Sequence, residues 1–306
     1  MNISDLSRSA LRARLSGDGL RFRTGDFTIR LQTRLRRVID GIALLYADFP
    51  LVDDTGFADF HVTLDSPFNL HRLFRPQVRF MLDGRPPFQP LPIDQAFPMF
   101  EWGLNWCVSS HANSYVIIHA AVIEKAGRAA ILPAPPGSGK STLCAALVGR
   151  GWRLLSDELT LIRVSDSAIV PLPRPISLKN GSIDVILGWQ ADAVASRRVF
   201  DTMKGTVAHV KPPADSVARA SETCPVGWII FPKYEAGAAT CLAPLSKSRA
   251  FVRVADNAFN YSTLGASAFD TLANAVDSAS CFDFSYSVLD EAIAAFDALA
   301  AQSEPA

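Results

Sequence analysis

Pro133-Ala134-Pro135-Pro136-Gly137-Ser138-Gly139-Lys140-Ser141-Thr142 lies between an apolar run over 129–133 and a second apolar stretch that ends at Gly149. An apolar strand, a glycine-bearing loop and a helix, in that order, make the connection that cradles polyphosphates. Gly137 and Gly139 can take positive φ, so successive N–H groups can turn inward toward phosphate oxygens. A helix beginning near Lys140 adds the partial positive charge of its N-terminus at the same spot. Lys140 can reach the β- and γ-phosphates, and the Ser141 hydroxyl can ligate Mg²⁺. Pro136, Gly137, Ser138, Gly139, Lys140, Ser141 and Thr142 are therefore the expected nucleotide cradle. The strict pattern has glycine where this chain has Ala134. One extra methyl there alters the loop entrance, which Pro135 and Pro136 also stiffen, and leaves the Gly-Lys-Ser core untouched.

The same grammar extends on both sides. Residues 115–124 and 129–133 read as strands joined by Lys125-Ala126-Gly127-Arg128, the helix runs from Gly139 to Gly149, and 152–164 reads as one further strand. Asp157 and Glu158 sit partway along it, where apolar residues deliver them toward the loop-bearing sheet edge. A carboxylate there can hold Mg²⁺ or accept a proton from an attacking hydroxyl. Neighbouring strand residues point to opposite faces, so one of the pair is expected at the phosphates, and Asp157 has the shorter side chain. The expected metal ligands are Ser141, Asp157 and Glu158; the catalytic residues expected on this reading are Asp157 and Lys140. Strands over 228–232 and 250–254 and helices over 262–277 and 288–300 complete this part. The fold class is α/β, a mixed and largely parallel sheet flanked by helices.

Upstream, residues 19–32 alternate with Leu20, Phe22, Phe27, Ile29 and Leu31 on one face, a hairpin pattern broken near Gly25-Asp26. Helical spacing follows through Val38, Ile39, Ile42 and Leu45, then strands over 60–64 and 78–82 and a turn at Asp83-Gly84. The proline-rich passage 85–92 reads equally as a domain linker or as a rigid loop, and a helix over 94–110 follows it. The division expected is a smaller N-terminal α+β region, 1–110, and a P-loop domain, 111–306. Phe97, Phe100, Trp102 and Trp106 have helical spacing and read as core.

The chain has 30 basic and 30 acidic residues among 306. A zero formal balance gives no footprint for nucleic acid or an anionic membrane, and no run reaches the ~18 apolar residues of a membrane helix. The five cysteines are dispersed without a CxxC pair, so neither a disulfide framework nor a zinc cage is indicated, and a cytoplasmic setting is the simplest. A homo-oligomer is compatible with this composition.

The stretch 119–162 resembles HPr kinase/phosphorylase in His119, Gly137-Ser138-Gly139-Lys140-Ser141, Arg150-Gly151-Trp152-Arg153-Leu154 and Asp157-Glu158. The chain more closely resembles the HPr-kinase-related proteins called HprK-related kinase A, which also share Pro173-Arg174-Pro175-Ile176-Ser177-Leu178-Lys179-Asn180 and the stretch from Lys204 to Pro213. The resemblance implies a sheet core similar to phosphoenolpyruvate carboxykinase, ATP and Mg²⁺ as cofactors, and phosphorylation of a serine hydroxyl on a peptide or small protein. It also implies Asp157 as base, Ser141 on the metal and His119 near the transferred phosphate. Two departures stand out. Glu158 replaces an aspartate, and Ser177-Leu178-Lys179-Asn180-Gly181 stands where the family has a metal-binding glutamate element.

Taken alone, a histidine among Val116, Ile117, Ile118 and Ala120 reads as a satisfied core residue; only the resemblance raises it. Arg174 and Lys179 read either as cationic clamps or as solvated charges, and Lys204, His209 and Lys211 as a phosphate loop or a plain connection. Three functions stay open on this reading: an ATP-dependent serine kinase, a nucleotide-binding switch with little catalysis, and a small-molecule kinase of carboxykinase type.

Overall fold

A computed structural model of the chain describes residues 1–53, 55–68, 74–135 and 137–302. Pro136, expected in the nucleotide cradle, lies outside the described residues.

The N-terminal alternation forms a five-stranded sheet in the order β1-β2-β3-β4-β5, from Leu20–Thr24 (β1), Phe27–Thr33 (β2), Phe60–Asp65 (β3), Gln77–Leu82 (β4) and Leu91–Pro92 (β5). The expected hairpin pairs Leu20 with Leu31 and Phe22 with Ile29. Helices α1 (Arg8–Ser16), α2 (Arg36–Leu45) and α3 (Ala96–His111) close the core around Tyr46, Phe49, Phe80 and Phe100, all buried. The proline-rich passage is packed into this body. Leu91–Pro92 pairs with β4, and the Phe88 ring lies 5.8 Å from Phe80 and 5.2 Å from Trp106.

The larger sheet is mixed. Its order is β10-β9-β6-β7-β14-β16-β15, with β8 also on β6; the strands are Tyr115–Lys125 (β6), Arg128–Pro133 (β7), Arg153–Ser156 (β8), Leu159–Arg163 (β9), Ile169–Val170 (β10), Val226–Tyr234 (β14), Cys241–Pro244 (β15) and Ser280–Tyr286 (β16). Parallel pairing is confined to β7, β14 and β16; the tight turn at Ala126-Gly127, both at positive φ, forces β6 and β7 to run antiparallel. A separate small sheet, β11-β13-β12, comprises Ile176–Lys179 (β11), Val199–Thr202 (β12) and Gly205–Val210 (β13).

Side-chain alternation along β6 sorts the interior into three parts. Val116, Ile118, Ala120 and Val122 enter the core beneath the helices Lys247–Asp256 and Ala266–Ser278. On the opposite face Ile117 joins the N-terminal core, whereas Ala121 and Ile123 join the core under α4 (Lys140–Gly149) and the C-terminal helix Leu289–Ala301. That last core is aromatic, with Trp152 packed edge-on to Trp228 at 6.3 Å and to Phe296 at 5.7 Å. Burying each such ring contributes roughly 1.5–3 kcal/mol.

Two local expectations are corrected. Residues 250–254 are helical, because the buried Ala250 and Val254 are four apart while Val252 between them is 57% exposed. The stretch 152–164 is two strands rather than one, since the backbone leaves the ladder at Asp157-Glu158.

Candidate functional site

The loop closes onto α4 as the glycines require. Gly139 caps the helix at φ 87°, and Gly137 has the same φ, a region that costs any other residue about 1–2 kcal/mol. Gly139 is also sterically closed. A Cβ there would lie 2.6 Å from the Tyr286 hydroxyl and 2.8 Å from Tyr234 Cβ. The Tyr286 hydroxyl donates to the Gly139 carbonyl at 3.1 Å, and the Tyr234 N–H donates to the Ser138 carbonyl at 2.8 Å. The ends of β14 and β16 thus pin the loop from below.

Lys140 is buried, and its Nζ donates to the Asp157 carbonyl at 3.1 Å. That bond joins the loop to the acidic pair across the sheet. It also explains the break between β8 and β9, because the Asp157 carbonyl serves the lysine instead of a neighbouring strand. The Asp157 carboxylate is buried as well; its Oδ2 accepts the Ser177 N–H of β11 at 3.0 Å, while Oδ1 is buried with no hydrogen-bond partner among the described residues. Burial raises its pKa above the usual aspartate value, Glu158 adds to the rise, and Lys140, the Ser177 N–H and the Ser141 hydroxyl offset part of it.

At this bend the alternation of a strand no longer applies, and both carboxylates share one field. Burial pushes Glu158 up, but Lys204, Lys140, Lys179 and His119 together outweigh it and hold its pKa below the ordinary glutamate value. Lys179 Nζ is 4.0 Å from Glu158 Oε1. Glu158 Oε2 accepts from the Asn105 amide at 2.7 Å, a contact between residues far apart in sequence that no local pattern announces.

His119 occupies the gap on β6 between Ile117, in the N-terminal core, and Ala121, in the core under α4. Its backbone pairs with Leu159 of β9, and its ring lies 5.8 Å from the ring of half-exposed Phe259. Burial and the nearby Lys140 lower its pKa to about 4, despite the opposing pull of Glu158. The imidazole is therefore neutral near pH 7 and can accept or donate one hydrogen bond without adding charge.

The downstream cations divide. Lys179 and Lys204 face Glu158, and Lys204 Nζ lies 5.0 Å above the Trp102 ring. That contact brings Trp102, expected in the core, to the rim of the site. Arg174 is not an available clamp. Its guanidinium is buried, lies 3.6 Å from Glu101 Oε2 and donates to Asn105 Oδ1. Lys211 is not a phosphate ligand either; it pairs with Asp48 of the N-terminal region at 2.7 Å. His209 is buried on β13 opposite Ser177, with its pKa lowered to about 4 by burial.

Of the expected site residues, the structure brings together Gly137, Ser138, Gly139, Lys140, Ser141, Asp157, Glu158 and His119, with Thr142 half-buried in the first turn of α4. The Ser141 hydroxyl and the Glu158 carboxylate are oxygen donors of the kind that could hold Mg²⁺. The buried, unpartnered Ser138 hydroxyl adds a polar group to the cradle. Among the described residues there is no group of three or more His, Cys, Asp or Glu side chains able to hold a metal ion, so a metal here would depend on the Ser141 hydroxyl and on ligands brought by the nucleotide. Among the described residues, too, no helix is long and apolar enough to cross a membrane.

The fold and site together define a mixed α/β protein with a helix-capped glycine loop facing an acidic pair. No family model matches the chain, and no curated protein does. Among solved structures, the Hpr(Ser) kinase/phosphatase from Coxiella burnetii aligns with a TM-score of 0.28 at 11% identity, over 61% of this chain and 99% of that one. A superposition that loose carries no argument about this chain's chemistry.

Proposed function

We propose that the chain binds Mg·ATP at Gly137–Thr142 and transfers the γ-phosphoryl group to a serine hydroxyl of a peptide or small protein, residues 111–306 forming the phosphoryl-transfer unit. The observation that carries this reading is the Lys140–Asp157 bond, which sets a phosphate-binding ammonium beside a buried carboxylate with one oxygen unpartnered among the described residues. Phosphoryl transfer is catalysed chiefly by positioning and by electrostatic stabilisation, and these residues offer both. Loop amides, the α4 N-terminus and Lys140 neutralise phosphate charge. Ser141 and Glu158 would hold Mg²⁺, which when bound would spread the charge of the phosphate oxygens, leaving Asp157 Oδ1 to act as base. Asp157 Oδ1 accepts the proton of the attacking hydroxyl, and its raised pKa makes it a stronger base. Lys179 and Lys204 lie near Glu158 and would add positive charge beside the transferred group, with neutral His119 within the same electrostatic field.

Incubation with γ-labelled ATP and a panel of peptides, followed by mass spectrometry, tests the proposal. Label on serine that disappears in Asp157→Asn supports it. Nucleotide binding with no transfer to any acceptor supports instead a switch that hydrolyses little, and transfer only to small metabolites supports a carboxykinase-type activity.

A further inference from the structure

Among the described residues, the N-terminal region reaches the acidic pair by a hydrogen bond from Asn105. Asn105 lies on α3, and its carbonyl oxygen accepts from Arg174. That contact fixes which way the amide faces, so the NH₂ group points to Glu158 Oε2 at 2.7 Å. Arg174 is itself held by Glu101, at 3.6 Å from the carboxylate and 3.5 Å from the carbonyl, and Glu101 accepts from the Tyr46 hydroxyl at 2.7 Å. Tyr46, Glu101 and Arg174 are buried. The result is a chain of hydrogen bonds from the middle of the N-terminal core to the second carboxylate of the site, with Asn105 as its last link.

We propose that Asn105 is a positioning residue: the N-terminal region uses it to hold the Glu158 carboxylate in place for the metal–nucleotide complex. Glu158 lies in the field of several ammonium groups, Lys179, Lys204 and Lys140, and these undirected charges do not by themselves select one carboxylate pose. A neutral donor with a fixed direction selects one pose without removing the charge that a metal needs. A hydrogen bond to a charged acceptor contributes roughly 1.5–3 kcal/mol, about a 10- to 150-fold effect on an equilibrium that requires that pose. The inference rests on the reading of Gly137–Thr142 as a Mg·ATP site.

Asn105→Asp keeps an acceptor for Arg174 but sets a second carboxylate against Glu158, so Asn105→Ala, which removes the donor without adding charge, is measured beside it and must show the same loss. Calorimetry with ATP, with and without Mg²⁺, is run on the wild type, Asn105→Asp, Asn105→Ala, Glu158→Gln and the double variants, with thermal midpoints as the folding control. The expected result is an Asn105→Asp protein that melts near the wild type, binds ATP normally without Mg²⁺, and loses about 10-fold or more in Mg²⁺-dependent affinity. In the Glu158→Gln background the same change has little further effect, within about 2-fold. If Asn105→Asp does not fold, Asn105→Ala is read alone in the same cycle. Unchanged Mg²⁺-dependent affinity in the single variant, or an equal loss with and without Glu158, overturns the inference. A wild-type protein that binds no Mg·ATP removes the underlying reading and the inference with it, whereas a wild type that binds while the cycle is additive removes the inference alone.

Discussion

Replacing each loop glycine by alanine distinguishes backbone strain from steric closure at the same φ. At Gly137 an added Cβ meets nothing within 4 Å among the described residues. The cost of Gly137→Ala is therefore the left-handed conformation alone, about 1–2 kcal/mol, and reduced freedom of the unfolded chain offsets about 0.4–1 kcal/mol of it. At Gly139 the same φ applies, but the methyl would stand 2.6 Å from the Tyr286 hydroxyl and 2.8 Å from Tyr234 Cβ. The hydroxyl can move only by giving up its 3.1 Å bond to the Gly139 carbonyl, a loss of about 1 kcal/mol, and the Tyr234 Cβ is part of a strand and cannot rotate away. Overpacking of that kind costs about 1–3 kcal/mol. Gly139→Ala should thus be less stable than Gly137→Ala by about 2–4 kcal/mol, which lowers the thermal midpoint by roughly 5 °C or more relative to its sister variant. Calorimetric melts of the two variants without nucleotide give the comparison directly. Equal midpoints, or a larger drop for Gly137→Ala, would refute the picture of a loop pinned by the ends of β14 and β16.

Three further outcomes follow from the site. Asp157→Asn should keep Mg·ATP affinity within about 10-fold, since Lys140 bonds to the backbone carbonyl of that residue, and should abolish transfer to serine; a variant that still phosphorylates removes Asp157 as the base. The pH dependence of stability has opposing parts. His209, lowered from 6.5 to about 4, takes up its proton in the unfolded chain first, so its contribution is lost as pH falls from about 6.5 to 4. Glu101, raised by burial from 4.5 to about 7, binds its proton more tightly when folded, so its contribution is lost as pH rises from about 4.5 to 7. Urea melts between pH 4.5 and 7 should therefore rise more steeply with pH in Glu101→Gln than in the wild type, and less steeply in His209→Gln; parallel curves count against both assignments. Finally, Arg174→Met should destabilise the protein by about 3–5 kcal/mol, because it leaves Glu101 buried without its partner, and a cost near zero by urea melting would show that Arg174 is free.

What the sequence disclosed, and what it hid, follows from how far apart the cooperating residues lie. The loop and its helix were legible because glycine geometry, the lysine and the flanking apolar runs are all local. The N-terminal hairpin was legible for the same reason: period-two alternation around Gly25-Asp26 is a short-range signal. The small sheet of β11, β12 and β13 left no such trace, since its strands have four to six residues each and are separated by loops. The helix over 247–256 resembled a strand because Ala-Phe-Val-Arg-Val satisfies either period over so few residues. The acidic pair was found, but its geometry was not: the bend at Asp157 arises from Lys140 and Ser177, 17 and 20 residues away. The roles of Asn105, Glu101 and Trp102 were out of reach altogether. They meet Glu158, Arg174 and Lys204 only in the folded chain, and Arg174 looks like a free cation until Glu101, 73 residues away, supplies its carboxylate.

The measurement that reaches the central claim most directly is titration calorimetry of the wild type and Lys140→Met with ATP and Mg²⁺. The glycine loop, the α4 N-terminus and Lys140 together predict saturable binding to the wild type and a loss of at least roughly 100-fold in the variant, as expected when a charge-assisted phosphate contact is removed. A wild-type protein that gives no heat of binding, or a methionine variant that binds as tightly, contradicts the account.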